Sequence, residues 1–214
     1  MKKVFAIVLI ACLAFGVAFA KKSSDLKLGA QLGYGMHTIT ARYDSDNHLK
    51  ASNGGFYAAG TFELGLSDAL AAKAEFGINT MGKAKSSCTL LGVTIDTSTG
   101  KTDPIQFSAY VGAEYLLELS KEMNLALGAG WDMLIGKETS DDDAKTNAAM
   151  GLGLEAVGSY NVSKEAAITF GAKFGWHFIN SDKDIDDAYS EIGDEGVSIS
   201  NISLKVFAGV TYAL

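Results

Sequence analysis

The sequence predicts an all-β chain, an eight-stranded antiparallel transmembrane up-and-down β-barrel. Three observations carry that prediction. Apolar and polar residues alternate with a period of two in eight separate segments. Each segment runs about ten residues, the length a tilted strand needs to cross a bilayer. The connections alternate between short turns and long polar stretches, as in barrels with tight turns at one rim and loops at the other. Composition agrees: 24 of 214 residues are glycine and 1 is proline. So much glycine disfavours a helical bundle, where each interior glycine costs about 1 kcal/mol. At 48% hydrophobic and 20% charged, the chain is not of the disordered class.

Ahead of the strands, residues 1–20 read as a cleaved secretory signal, leaving 21–214 as the barrel. Lys2-Lys3 precede a short apolar run that ends in Ala18-Phe19-Ala20. Leu9-Ile10-Ala11-Cys12 offers a competing reading as a lipidation site, but the chain stays apolar after the cysteine. With Cys12 removed, Cys88 is the one cysteine left, so the fold expects no intrachain disulfide.

The first segment, 26–37, sets Leu28, Leu32, Tyr34 and Met36 against Lys27, Gln31 and glycines. In 56–66, Phe56, Phe62 and Leu64 oppose Tyr57, Thr61 and Glu63. Segment 70–79 sets Leu70, Phe76 and Ile78 against Lys73, Glu75 and Asn79. Segment 105–117 sets Phe107, Val111 and Tyr115 against Gln106, Tyr110 and Glu114. Trp131 and Met133 face away from Asp132 in 123–133, and Leu152, Leu154 and Tyr160 from Glu155 in 148–160. Phe170, Phe174, Trp176 and Phe178 oppose Lys173 and His177 in 167–178. The last, 201–214, sets Ile202, Val206, Val210, Tyr212 and Leu214 against Asn201, Lys205 and Thr211.

Short turns are expected around Ser67, Ser120 and Ser163, and long loops at 40–53, 81–103, 136–146 and 179–197. Hairpins around the three serines resemble one another weakly.

Alternation alone leaves open which face is inside, so a soluble lipocalin-like barrel is the alternative. The polar face favours the membrane reading: it holds one or two charges per strand and is otherwise small, suiting the interior of a narrow barrel. Tyr34, Tyr115, Trp131, Tyr160, Trp176 and Phe178 then become interface aromatics against lipid. Lys27, Lys73, Lys173 and Lys205 share the interior with Glu63, Glu75, Glu114, Asp132 and Glu155. Four cations against five anions nearly cancel, and buried charges pair because isolated ones are costly. Pairs Glu63 with Lys73 and Glu155 with Lys173 are expected, and the lumen reads as a plug.

With strand count, loop asymmetry and last strand in hand, the mature chain resembles the small eight-stranded outer-membrane barrels of the OmpX and OmpA-transmembrane-domain type. Its end, Val206-Phe207-Ala208-Gly209-Val210-Thr211-Tyr212-Ala213-Leu214, looks like the signal read by the barrel-assembly machinery, with Val206, Val210, Tyr212 and Leu214 on one face. That signal ordinarily ends in an aromatic, whereas here Leu214 is last. The resemblance implies a monomer in the bacterial outer membrane, partnered by membrane lipid, and by an extracellular ligand or host surface through its loops. The OmpW type, with an apolar lumen, matches less well.

Formal net charge is −7, and −9 without Lys2 and Lys3, with no basic stripe to engage nucleic acid. No metal motif, cofactor motif or phosphate loop is legible. His37, His48 and His177 lack the spacing of a metal site, and Asp141-Asp142-Asp143 reads as a solvated loop tip. His177 with Ser181 could be pictured as a lipid-modifying pair, but no motif anchors them. The leading expectation is a non-enzymatic structural and surface-interaction protein, against a narrow solute channel or, more remotely, an outer-leaflet lipid-modifying enzyme.

Overall fold

The structure, a computed structural model, describes residues 26–42, 46–82, 85–98, 105–139, 144–180 and 198–214. The signal segment, Cys12, Ser181 and Asp141-Asp142-Asp143 lie outside the described residues. Ten strands form one antiparallel sheet: β1 (Leu26–Arg42), β2 (His48–Gly65), β3 (Leu70–Met81), β4 (Lys85–Leu90), β5 (Val93–Ser98), β6 (Ile105–Glu118), β7 (Met123–Thr139), β8 (Ala144–Asn161), β9 (Ala166–Asn180) and β10 (Ser198–Ala213). Eight of them close on themselves in the order β1-β2-β3-β6-β7-β8-β9-β10, with β10 returning to β1. Closure leaves no edge among the eight, the condition a sheet must meet to sit in hydrocarbon.

Four expected loops are corrected. Strands β1 and β2 pair through Arg42 and His48, so most of 40–53 is strand. Likewise β7 and β8 pair through Thr139 and Ala144, so 136–139 and 144–146 are strand and 140–143 lie outside the described residues. Within 81–103 lies a hairpin, β4–β5, that lengthens the sheet on the β2 side through His48–Thr89 to Ser52–Lys85. Of 179–197, strand β9 takes the start through Asn180, and 181–197 lies outside the described residues.

The three short turns share one construction. Leu66, Leu119 and Val162 donate backbone N–H to Leu70, Met123 and Ala166 at 2.8, 3.0 and 2.9 Å. Ser67, Ser120 and Ser163 each accept backbone N–H bonds from residues two or three positions on. Serine suits such a turn because its hydroxyl satisfies donors that the ladder leaves free.

Exposure settles which face is which. Phe76, Phe107, Trp131 and Phe170 are each more than half exposed, whereas Lys73, Glu75, Asp132 and Lys173 on the opposite face are at 2% or less. A lipocalin would show the reverse. Along β9 the apolar run from Ile168 to Phe178 covers about 25 Å of membrane depth, at ~3.3 Å per residue and a tilt of ~40°. That equals the usual apolar band of such barrels.

Tyr57, Tyr110, Leu134 and Phe207 are among the large side chains that point inward. Glycines make room for the rings. A Cβ at Gly77 would come within 2.7 Å of the Tyr57 ring, and one at Gly171 within 2.9 Å of Phe207. The inward glycines are thus sockets for aromatics as well as concessions to a narrow bore.

Candidate functional site

The period of two aims one side chain in every pair into the lumen, and there the charged ones converge. Lys73 of β3 donates to Glu114 Oε1 of β6 and to Glu155 Oε2 of β8, both at 2.9 Å. Lys173 of β9 donates to Glu75 Oε2 of β3 at 2.5 Å and lies 3.5 Å from Glu155 Oε2. Tyr57 donates its hydroxyl to the other oxygen of Glu75. The Lys173 ammonium also sits 4.1 Å from the centre of the Tyr110 ring, a cation–π contact in a site without bulk water.

Nearer the long-loop end a second group surrounds Asp132 of β7. His177 Nε2 lies 3.0 Å from its Oδ2, Ser203 Oγ donates to the same oxygen at 3.3 Å, and Lys205 Nζ is 3.8 Å from Oδ1. His37 hydrogen-bonds Asn201, with its ring edge-on to His177 at 6.4 Å between centroids. Three fully buried lysines thus face four carboxylates, each carboxylate within reach of a cation.

Of the two expected pairs, Glu155 and Lys173 stand opposite each other in the β8–β9 register. Glu63 and Lys73 are also opposite in β2–β3, but the expected ion pair is a correction: Lys73 reaches across the bore instead. A lysine stem is long enough to cross a narrow lumen, and two dry carboxylates hold an ammonium better than one half-exposed carboxylate does. Lys27 and Glu63 stand opposite one another at the short-turn end, Lys27 exposed and Glu63 half-buried, apart from the dry network.

All six named aromatics, Tyr34, Tyr115, Trp131, Tyr160, Trp176 and Phe178, are exposed on the outward face. Phe178 packs against both tryptophans, at 5.9 Å from Trp131 and 5.7 Å from Trp176 between ring centroids. Val206, Val210, Tyr212 and Leu214 also face outward, and Leu214 N–H donates to the Leu26 carbonyl at 2.8 Å.

Chemically, the lumen holds charges in place. Ser203 bonds the carboxylate of Asp132 rather than an imidazole, so the serine lacks the base contact that activates a nucleophile. Among the described residues no group of three or more His, Cys, Asp or Glu side chains is placed to hold a metal ion. Leu134, Val157 and Phe207 are inward residues that the alternation did not assign. Their parity with Asp132, Glu155 and Lys205 is the signal that places them.

These features define a closed antiparallel barrel with an apolar outer wall and charged interior, the fold of outer-membrane barrels. Neisserial surface protein A matches it with a TM-score of 0.57 at 13% identity, over 88% of this chain and 97% of that one. The outer membrane protease OmpT of Escherichia coli matches with 0.54 at 9%, over 90% and 98%. At such identities the likeness speaks for the fold. No family model and no curated protein matches the sequence.

Proposed function

We propose that the chain is a non-enzymatic integral protein of the bacterial outer membrane. Its lumen is shut by paired charges, and its long-loop end faces outward, where it serves membrane structure and surface interaction. Membrane lipid is its constant partner, the barrel-assembly machinery meets its last strand during insertion, and an extracellular ligand or host surface meets the loops. The observation that carries the reading is Lys73 bridging Glu114 and Glu155 across the bore, with Lys173 joining Glu155 to Glu75. Salt links between β3, β6, β8 and β9 span the bore, which supports a closed lumen, and breaking one strands a charge in a dry interior.

Planar-bilayer recording of the refolded protein tests this. Silence at ordinary voltages is expected, and steady single-channel steps would instead make the barrel a narrow solute channel.

A further inference from the structure

The eight barrel strands leave no edge, but the sheet they belong to still ends in one. Among the described residues β5 pairs with β4 alone, so Val93–Ser98 is a free edge on the extension beyond the barrel. Exposed edges are ordinarily guarded by proline, lysine or a bulge. Strand β5 has none of these. It reads Val93-Thr94-Ile95-Asp96-Thr97-Ser98, all six residues are exposed, and its register with β4 runs unbroken from Lys85–Ser98 to Leu90–Val93. Asp96 is its one charge, and Val93 and Ile95 are 64% and 58% exposed.

The turn at the tip fixes which backbone groups are free. Leu91 and Gly92 both hold positive φ, at 51° and 76°, as in the two-residue turn whose flanking pair exchanges both hydrogen bonds. Leu90–Val93, Cys88–Ile95 and Ser86–Thr97 are therefore the bonded pairs, and the N–H and C=O groups of Thr94, Asp96 and Ser98 point to the open side. A strand laid antiparallel there must offer the same alternation. A second β5 does so about a dyad through Ile95. Thr94 of each copy then exchanges bonds with Asp96 of the other, about four N–H···O bonds in all, while Ile95 meets Ile95 and Val93 meets Thr97. The Thr94 hydroxyl, already bonded to Thr89, faces the opposing Asp96 carboxylate and can donate to it. Moving the dyad one residue, to Asp96, would set two carboxylates against each other, which a ladder disfavours.

Symmetry also decides where the second copy sits. A dyad along the membrane normal turns a strand tilted about 40° into one tilted about 40° the other way, so the two edges would cross at roughly 80° and form no ladder. The dyad that does pair them stands perpendicular to the sheet, and it reverses the barrel axis. We infer that β5 joins two copies of this chain held in facing membranes, as a homotypic adhesion strand. The inference rests on the outward loop end of the proposed function and names its partner. One strand a side falls well short of the about 20–30 residues of a standard interface, so adhesion is carried by many copies acting together.

Full-length protein in phosphatidylcholine vesicles formed by detergent removal, which leaves a share of the loop ends outward, tests this. Two populations carrying different affinity tags are mixed, and turbidity reads their clustering. The wild type is expected to cluster. Thr94→Asp, which sets acid against Asp96, should cluster at least about tenfold more slowly, and Thr94→Asp with Asp96→Lys should recover, since each new acid then meets a new base. Ile95→Cys in a Cys88→Ser background should give a disulfide dimer bearing both tags under mild oxidation, because the Cα atoms of a non-hydrogen-bonded pair stand about 4.5 Å apart. Wild-type vesicles that stay dispersed would leave the edge to a strand of some other protein and overturn the inference. Thr94→Asp clustering at the wild-type rate would do the same, reducing the contact to apolar stickiness around Ile95, as would absence of the two-tag dimer. Insertion is read separately, by heat-dependent gel mobility and by protease cutting of the outward loops. Copies that fail there refute the proposed function itself, whereas inserted copies that fail to cluster refute the pairing alone.

Discussion

Two regions of one sheet use the same alternation to opposite ends. In the closed barrel the charges turn inward and the apolar side chains outward: Lys73 is buried, and Trp131 on the outer wall is 56% exposed. In the extension made by the ends of β1 and β2 with the β4–β5 hairpin, the pattern is reversed. Leu49, Cys88 and Ile95 share the face that continues the lumen side, while Arg42, His48 and Lys50 lie on the outward face with Thr89 buried among them and bonded to Thr94. Alternation is a property of the pleat, but what it sorts depends on the medium each face meets. Hydrocarbon bathes the barrel wall, and water bathes the outer face of the extension. The row where the pattern flips, just above Tyr34, Phe56 and Met36, marks the outer edge of the apolar band.

The sharpest break of this comparison comes from lysines in the two regions. Lys73→Met leaves Glu114 and Glu155 buried without their shared cation and should cost about 3–5 kcal/mol, read by urea unfolding of the protein refolded into vesicles. Adding Glu114→Gln and Glu155→Gln should recover much of that loss, because the site around residue 73 then holds no unpaired carboxylate, while Lys173 keeps Glu75. Should Lys73→Met unfold at the wild-type midpoint, the dry network would not be a stability element at all.

Next in size is a charge on the wall. Leu154, opposite Phe174 near the middle of the apolar band, should lose about 2–4 kcal/mol as Leu154→Arg in the same assay.

The extension should respond least. Lys50→Gln and Lys85→Gln, both exposed, should move stability by no more than about 0.5 kcal/mol. At the hairpin tip Leu91 holds φ at 51° before Gly92 at 76°, a left-handed pair that suits asparagine and glycine. Leu91→Asn should therefore slow proteolytic nicking of the hairpin by a few-fold at most, with the barrel's unfolding midpoint unmoved.

The barrel faces were legible because period two needs only a count, and Tyr57, Tyr110 and the lumen charges fall on the side that count gives. Legibility stopped where the medium changed. Thr38-Ile39-Thr40-Ala41 continues β1, yet with polar residues now outward it no longer extends the apolar pattern below it, so the count of period two stops at His37. The β4–β5 hairpin escaped because its strands are six residues each, shorter than a membrane crossing, and its Leu-Gly turn lacks the usual Asn-Gly or Asp-Gly signal. Register placed Glu63 opposite Lys73, but the choice of Glu114 and Glu155 as partners is made across the bore. Strand pairing encodes neighbours along the wall and says nothing about which opposing walls meet.

The seam between β1 and β10 has a consequence for how such a chain comes into being. Sixteen residue pairs, from Lys27 with Ala213 to Arg42 with Ser198, join the beginning of the described sheet to its end. Until the final strand arrives, two raw margins of unpaired N–H and C=O groups face a solvent that can satisfy neither, at several kcal/mol for each group. A copy cut short before Ser198 is therefore no smaller barrel. It is a curved strip that the bilayer rejects, so completion of the ring and residence in the membrane are a single event.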